Sequence, residues 1–138
     1  MTYEYENVYL KDASTVVGPY EKKGPLGNKF DKSYDDLYNG EKSFEQAEVK
    51  LLEDSIDILL KKVEKTKSDI DLIISGDLLN QVTSSSYGVQ KYNIPFLGIY
   101  SACASSVEGI IIASSMIDSK KINNCIVSTS SHNMSSEK

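Results

Sequence analysis

The chain has 138 residues, which is the length of one ordinary domain and too short for a multidomain enzyme. Hydrophobic residues make up 40% and charged residues 25% of it, a composition typical of a globular protein and not of a disordered one. The net charge is −5 and no basic stripe stands out, so nucleic acid is not expected as a partner.

The chain begins with acidic and aromatic residues. The run from Met1 to Glu6 lacks the basic and apolar regions of a secretory signal peptide, and no later stretch is apolar enough to form a transmembrane segment. The sequence therefore predicts a protein that stays inside the cell. The two cysteines fit this prediction, because they are too few for a secreted disulfide framework.

Residues 1–42 are expected to form one strand followed by a long loop. The apolar run Thr15-Val-Val-Gly18 predicts the strand, and Gly-Pro and Asn-Gly pairs after it are typical of turns. The loop carries four aromatic residues, Tyr20, Phe30, Tyr34 and Tyr38, which are expected to pack it against the body of the protein. A functional loop is the alternative interpretation.

A helix and a buried strand are predicted next. Ser43 and Gln46 have the spacing of a capping box, and apolar residues recur every three or four positions up to about residue 64. The run from Asp69 to Gly76 is then short, apolar and ended by glycine, which is typical of a buried parallel strand.

The rest of the chain alternates between helix and strand. A short polar helix is expected over residues 83–93, and a strand opens at Pro95 and ends near Tyr100. The following helix, up to about Ile117, has so many apolar residues that it is expected to be largely buried. A fourth strand covers Cys125 to Thr129, and the whole order predicts an α/β fold with a mostly parallel sheet and flanking helices.

Ligands of open α/β sheets bind outside the carboxyl ends of the strands, and Cys103 lies at such a position. It stands between a strand and a helix, where the helix amides would stabilise a thiolate or a nearby anion. A small buried residue at a tight corner is the alternative. Cys125 lies within an apolar strand and is expected to belong to the core.

Three polar residues follow other strand ends. Asp77 and Asn80 could hydrogen-bond a ligand, although Asp77 could equally cap a helix. His132 is the single histidine, so it could pair with Cys103 or serve only in packing. All 15 basic residues are lysines, so an anion would have to bind lysines or backbone amides. No metal site and no cofactor is expected.

Several runs together resemble the stage V sporulation protein AD family, and they cover nearly the whole chain. In chain order they are Thr15-Val-Val-Gly18-Pro19, Gly24-Pro-Leu-Gly27, Phe30-Asp-Lys-Ser-Tyr34, Ile70-Asp71, Gly76-Asp-Leu-Leu-Asn-Gln81, Ile94-Pro-Phe-Leu97, Ala102-Cys103 and Ser130-Ser-His132. The Gly-Asp-Leu-Leu-Asn-Gln and Gly-Pro-Leu-Gly runs are the specific ones. An Ala-Cys before a small-residue helix is common to thiolases and ketoacyl synthases in general.

The resemblance implies a thiolase-like fold, of which residues 1–138 would form a single N-terminal half. It implies a spore protein without enzymatic activity that binds dipicolinic acid, with Cys103, Asp77, Asn80 and His132 as the expected ligand-binding residues. Cys103 would occupy the position of the thiolase nucleophile. The implied partners are dipicolinic acid and the membrane subunits of the spore dipicolinate channel complex, at the cytoplasmic face or peripheral surface of the spore inner membrane. A homodimer that meets near Phe96–Tyr100 is also expected.

Two other functions stay open at this point. In one, the chain is an acyl-transferring condensing enzyme in which Cys103 carries a thioester. In the other, it is an interaction subunit that only docks onto membrane partners.

Overall fold

The computed structural model describes residues 2–136, in which helices alternate with parallel strands. In chain order the strands and helices are β1 (Val16–Val17), α1 (Pro19–Lys22), β2 (Lys32–Ser33), α2 (Phe44–Lys62), β3 (Leu72–Gly76), α3 (Thr83–Gln90), β4 (Phe96–Gly98), α4 (Ser105–Asp118), β5 (Cys125–Thr129) and α5 (Asn133–Ser136). Short 3₁₀ turns lie at Lys67–Asp69, Asn80–Val82 and Ala102–Ala104. The predicted α/β class is confirmed.

The main sheet has three parallel strands in the order β4-β3-β5. β3 is central, and all five of its residues are buried, which explains its uninterrupted apolar sequence. Its register pairs Ser75 with Gly98 of β4 and Gly76 with Thr129 of β5, so the three strands end at the same edge. This edge is where the candidate site residues follow their strands.

The predicted first strand is present but lies outside the main sheet. β1 pairs in parallel with β2, so these two form a separate small sheet, and the long loop predicted up to residue 42 contains α1 and β2. Pro19 at the first helical position favours α1. Lys32 and Ser33 carry no hydrophobic alternation, so β2 could be found only from its pairing with β1.

Two hydrophobic clusters cover the two faces of the main sheet. Side chains alternate along β3, so Ile73 faces α2 and α3 while Leu72 and Ile74 face α4. The α2–α3 cluster contains Leu52, Ile56, Ile70, Ile73, Val89, Tyr92 and Ile126. The α4 cluster contains Leu72, Ile74, Ile99 and Ala113, with Cys125 packed against it. The sheet is therefore the middle of three layers.

The predicted helix from Ser43 is confirmed as α2. The Ser43 hydroxyl accepts a hydrogen bond from the Gln46 amide at 3.2 Å, which is the predicted N-cap. Gln46 completes the turn differently from a standard capping box, because its side chain accepts from the Lys42 amide and not from Ser43. The helix ends at Lys62, two residues before the predicted end.

The prediction that α4 is largely buried is wrong. Val107 and Ile110 are 60% and 52% exposed, and Ile111 is exposed as well. The sheet covers one side of the helix, where Gly109 lies so close that an added Cβ would stand 2.6 Å from the Val127 Cγ1 atom. On the other side of α4 the N-terminal segment makes two contacts, since the Tyr5 hydroxyl donates to the Ile111 carbonyl oxygen and the Glu6 amide donates to the Asp118 carboxylate, but Val107 and Ile110 stay exposed.

Candidate ligand-binding site

The carboxyl ends of β3, β4 and β5 bring three chain segments to one edge. Asp77 follows β3, the turn containing Cys103 follows β4, and Ser130–His132 follow β5. The Ser130 amide donates to the Gly76 carbonyl oxygen at 3.2 Å, which continues the pairing beyond the strands. The predicted clustering of these segments at one sheet edge follows directly from the parallel topology.

Cys103 is an exposed free thiol at the turn between β4 and α4. In this turn the Ala104 amide donates to the Ser101 carbonyl and the Ser105 amide donates to the Ala102 carbonyl. The first amides of a helix have no acceptor within the helix, and here these are the amides of Ala102 and Cys103. The side chain of Ser101, the residue before this 3₁₀ turn, does not cap them. The predicted position of Cys103 in a turn between a strand and a helix is confirmed, and α4 itself begins two residues later at Ser105.

The backbone just before Cys103 has an unusual conformation. Ala102 has a φ angle of +48°, which is the left-handed region that residues with a Cβ atom rarely adopt. Two hydrogen bonds hold the turn in place: the Ser101 amide donates to the Ser105 hydroxyl at 3.2 Å, and the Ser101 hydroxyl donates to the Glu108 carboxylate. Cys103 lies at the surface directly after this left-handed residue.

Gly76 allows the Cys103 turn to approach β3. A Cβ atom at position 76 would stand 2.7 Å from the Ile99 carbonyl oxygen and 2.9 Å from the Ser105 hydroxyl. Since real Cβ atoms do not come this close to backbone, only glycine fits here. The glycine that ends β3 is therefore a packing requirement of the candidate site.

Asp77 is 2% exposed, and both of its carboxylate oxygens accept backbone hydrogen bonds. One accepts from the Leu79 amide at 2.9 Å and the other from the Ser85 amide in the first turn of α3 at 2.7 Å. Of the two predicted roles, the structure places Asp77 in the capping role, since it closes the loop between β3 and α3. A direct ligand contact by Asp77 stays a prediction.

Asn80 lies at the surface of the same loop. Its carbonyl oxygen accepts a hydrogen bond from the Thr83 hydroxyl at 2.6 Å. Gln81 and Val82, which follow it, both have positive φ angles, of 60° and 55°. A left-handed conformation is especially unfavourable for a β-branched residue such as Val82, so this loop is strained.

His132 is buried, and both ring nitrogens have partners. The Nε2 atom lies 2.8 Å from the Leu37 carbonyl oxygen, and the Nδ1 atom accepts from the Met134 amide at 3.2 Å. This pattern places the proton on Nε2. The ring also stacks on Phe44, with centroids 5.4 Å apart. The packing role is what this arrangement supports, and neither nitrogen faces Cys103 as a base.

Glu48 is a member of this region that the sequence reasoning missed. It is fully buried, and its two carboxylate oxygens accept hydrogen bonds from the Ser130 and Ser135 hydroxyls at 2.9 and 2.8 Å. It therefore ties α2 to the segment that carries His132. The signal was present in the sequence, because Glu48 stands four residues from both Phe44 and Leu52 on the apolar stripe of the helix.

The pKa of Glu48 is raised, and burial is the largest cause. The two serine hydroxyls and His132 act in the opposite direction, while the carboxylate of Asp77 raises it further. The folded protein therefore holds the Glu48 proton to a higher pH than the unfolded chain does. At low pH Glu48 is protonated in both states and does not affect the free energy of unfolding. As the pH rises above the pKa of Glu48 in the unfolded chain, the free energy of unfolding falls.

We expect Glu48→Gln to remove this pH dependence. In the wild type, Glu48 should lower the free energy of unfolding by up to about 1.4 kcal/mol per pH unit between its unfolded and its raised folded pKa. A glutamine can still bond both serines but carries no titrating proton. Urea denaturation of both proteins from pH 4 to pH 7 measures the difference. Parallel stability curves for the two proteins would contradict the raised pKa.

An apolar groove begins one residue after Cys103. It has a volume of about 330 Å³ and is lined by Ala104, Val107, Glu108, Ile111 and Ile112 of the first turns of α4 and the residue before it. Its walls are mostly aliphatic, and the single carboxylate in it accepts from the Ser101 hydroxyl. The site thus combines backbone donors at Ala102 and Cys103 with a neighbouring apolar surface.

Two structural findings concern other classes of site. Residues 2–136 contain no group of three or more histidine, cysteine, aspartate or glutamate side chains arranged to hold a metal ion. No helix in the same range combines the length and the apolar character that crossing a membrane requires.

Comparison with known sequences gives one consistent match. The family model described as "Stage V sporulation protein AD" matches residues 2–138. The curated protein "Stage V sporulation protein AD" of Bacillus subtilis (strain 168) is 41% identical over 138 residues, covering 99% of this chain and 41% of the relative. The chain thus spans about two fifths of the length of the curated relative.

Comparison with solved structures identifies the fold. The 3-oxoacyl-[acyl-carrier-protein] synthase III of Aquifex aeolicus VF5 superposes with a TM-score of 0.56 and 22% identity, over 63% of this chain and 30% of that one. At this identity the likeness concerns the fold alone. The predicted thiolase-like α/β fold is confirmed.

Proposed function

The chain belongs to the stage V sporulation protein AD family, and on that premise we propose that it binds dipicolinic acid without catalysing a reaction. Membership gives it a role in sporulation. Within that role we propose a peripheral component of the spore membrane complex that takes up dipicolinate, held by membrane subunits at the cytoplasmic face or peripheral surface of the spore inner membrane.

The turn at Cys103 is the observation that carries the proposal. Dipicolinate is a rigid dianion, so it needs hydrogen-bond donors for its carboxylates and an apolar surface for its ring. The amides of Ala102 and Cys103 are suitable donors, since they lie in the 3₁₀ turn just before α4, near the end of the helix where the macrodipole favours an anion. The aliphatic groove beside Ala104 supplies a surface for the ring.

The hydrogen bonds of His132 favour a binding function over a catalytic one. A condensing reaction at a cysteine needs a nearby base or proton donor, and both nitrogens of the single histidine are occupied by backbone groups. Asp77 is likewise occupied by two amides. Residues 2–136 therefore offer an exposed thiol without an activating partner.

Isothermal titration calorimetry with pyridine-2,6-dicarboxylate tests the proposal on the full-length protein. Saturable binding is expected, and the isomer pyridine-3,5-dicarboxylate should bind at least about tenfold more weakly, because its carboxylates point in different directions. Equal binding of the two isomers would reduce the interaction to general attraction of a dianion. Absence of heat with both would contradict the proposal.

A condensing enzyme is the second candidate, and the exposed Cys103 on a fold similar to a 3-oxoacyl synthase favours it. In that case the Cys103 sulfur would form a thioester with the acyl group of an acyl-CoA while coenzyme A leaves as the free thiol, and the intact mass would rise by the mass of the acyl group less one hydrogen. We expect no such shift after incubation with acetyl-CoA. A shift that Cys103→Ser abolishes would select the enzyme.

We further propose that the exposed side of α4 packs against the part of the family's fold that lies beyond residues 1–138. The relative is more than twice as long as this chain, and residues 1–138 would be one half of the two-half fold. Val107, Ile110 and Ile111 form an exposed apolar face that one more layer would bury. The dipicolinate site would then lie between the halves.

A homodimer through β4 is also proposed. β4 is the edge strand of the main sheet, and Leu97 and Tyr100 near it are exposed. Open apolar edges favour pairing with a second copy. Light scattering at micromolar concentration should give the mass of a dimer, and Leu97→Lys should convert it to a monomer. Leu26→Lys, at an exposed loop residue, is the matched control and should remain dimeric.

A further inference from the structure

The N-terminal segment of the chain is attached to the exposed side of α4. The Tyr5 hydroxyl lies 3.4 Å from the Ile111 carbonyl oxygen and 3.1 Å from the Ser115 hydroxyl. The Glu6 amide donates to the Asp118 carboxylate at 3.1 Å. Residues 5 and 6 are therefore anchored to the C-terminal half of α4.

This anchor and the apolar groove beside Cys103 lie on one side of α4. Their positions follow one another at spacings of four, three, four and three residues, in the order Ala104, Glu108, Ile111, Ser115 and Asp118. Residues at these spacings are neighbours on one side of a helix. The groove is thus the N-terminal part of a stripe whose C-terminal part holds the N-terminal segment.

Tyr3 is close enough in the chain to reach the groove. Residues 2–5 contain no helix or turn, and in an extended segment the side chains two positions apart lie on the same side. Two extended residues span about 7 Å, and one turn of α4, from Ile111 back to Val107, spans about 6 Å. An extended course from Tyr5 towards the N-terminal end of α4 therefore brings the Tyr3 ring beside the groove.

In the structure the Tyr3 ring leaves the groove open. It is 61% exposed, and it does not belong to the lining of the groove. A swing of residues 2–4 about the anchor moves this ring over the groove and breaks none of the anchoring hydrogen bonds, because these belong to Tyr5 and Glu6. The segment can therefore act as a strap.

We propose that Tyr3 is a ligand-binding residue, carried by a strap of residues 2–6 that closes over the groove when dipicolinate binds. This inference rests on the proposed binding function. The ligand ring would lie between the aliphatic wall of α4 and the Tyr3 ring, while its carboxylates accept from the amides of Ala102 and Cys103. Stacked aromatic rings attract each other beyond the effect of buried area, and a tyrosine can keep its hydroxyl in water. The strap would lie at the edge of the face that the second half covers.

Calorimetry of the full-length protein with pyridine-2,6-dicarboxylate tests the contact by Tyr3. Tyr3→Ala should weaken binding about threefold to tenfold, the effect expected for the loss of one aromatic pair, whereas Tyr3→Phe should keep the wild-type affinity. Tyr9→Ala is the matched control, because Tyr9 is 81% exposed on the same segment but lies on the other side of the anchor. It should leave the affinity unchanged.

Tyr5 is a positioning residue in this proposal, since it holds the strap and does not touch the ligand. Tyr5→Ala should weaken binding as much as Tyr3→Ala does, and the double variant should weaken it no further, because each change removes the same closed strap. Hydrogen–deuterium exchange gives a local measurement. Dipicolinate should slow the exchange of the amides of residues 2–4 in the wild type but not in Tyr5→Ala.

The possible failures of the strap and of the binding function are distinguishable. Wild-type binding with unchanged affinity in Tyr3→Ala would overturn the strap and leave the binding function in place, whereas no binding by the wild type would overturn both. Tighter binding by Tyr3→Ala would contradict the proposal by showing that the ring competes with the ligand for the groove. Equal weakening by Tyr3→Ala and Tyr9→Ala would also contradict it, because the effect would then not depend on the groove.

Discussion

Leu52→Ala is expected to lower the free energy of unfolding by about 2–5 kcal/mol. Leu52 is 2% exposed and lies at the centre of the cluster that α2, α3 and the sheet share. Truncation removes the buried surface and leaves a cavity that rigid neighbours cannot fill.

The position of Gly88 explains why the cost should be near the upper part of this range. A Cβ atom at position 88 would lie 2.7 Å from the Leu52 Cδ2 atom, so the α3 backbone is in direct contact with the leucine. A backbone segment held by its own helical hydrogen bonds cannot move into the space that the leucine leaves. At other sites the neighbours of a truncated side chain move into the cavity, which lowers the loss of stability. This movement is restricted around Leu52.

Two controls accompany this measurement by urea or thermal denaturation. Ser43→Ala removes one N-cap bond at the start of the same helix and should cost about 1 kcal/mol. Leu26→Ala makes the identical substitution at a 60% exposed residue and should cost almost nothing. A Leu52→Ala effect as small as that of Ser43→Ala would mean that the apolar side of α2 is not packed.

Cys103→Phe is expected to abolish dipicolinate binding by the full-length protein, while Cys103→Ser keeps most of it. If the donors are backbone amides, serine leaves them in place and changes only one atom of the side chain. Phenylalanine projects a ring from the turn beside the groove that begins at Ala104, and it would fill the space that the ligand ring needs. Calorimetry with pyridine-2,6-dicarboxylate measures both variants.

The exposure of Cys103 makes these variants informative, because a substitution at an exposed residue is expected to leave stability nearly unchanged. Circular dichroism melting of both variants is the control for folding. Equal loss of binding in Cys103→Ser and Cys103→Phe would assign the thiol itself to the ligand. Hydrolysis of acyl-CoA by the wild type but not by Cys103→Ser would replace the binding function with a reactive thiolate.

The elements that the sequence predicted well are those with a strong local pattern. α2 follows from its cap at Ser43 and the recurrence of apolar residues every three or four positions, and β3 follows from its uninterrupted apolar run. The position of Cys103 between a strand and a helix is also local information. The family motifs are short runs, so they too could be identified without coordinates.

The sequence could not determine which polar groups meet across the chain. His132 bonds to Leu37, 95 residues away, and Glu48 bonds to Ser135, 87 residues away. Such partners depend on how α2 packs against the end of β5, and no local periodicity encodes that. This is why His132 and Asp77 were candidates for ligand contact, whereas the structure gives their polar atoms backbone partners.

The tertiary structure also decided what is exposed. The apolar composition of α4 predicted burial, but a helix that packs on one sheet can bury only the side that faces it, and the opposite side keeps Val107 and Ile110 at the surface. The complete burial of Ser84, a polar residue in α3, is hidden in the sequence for the same reason, since burial is a property of the packed chain. Composition and local pattern determine which elements form, whereas the packing of distant elements determines which surfaces and polar atoms remain available for binding.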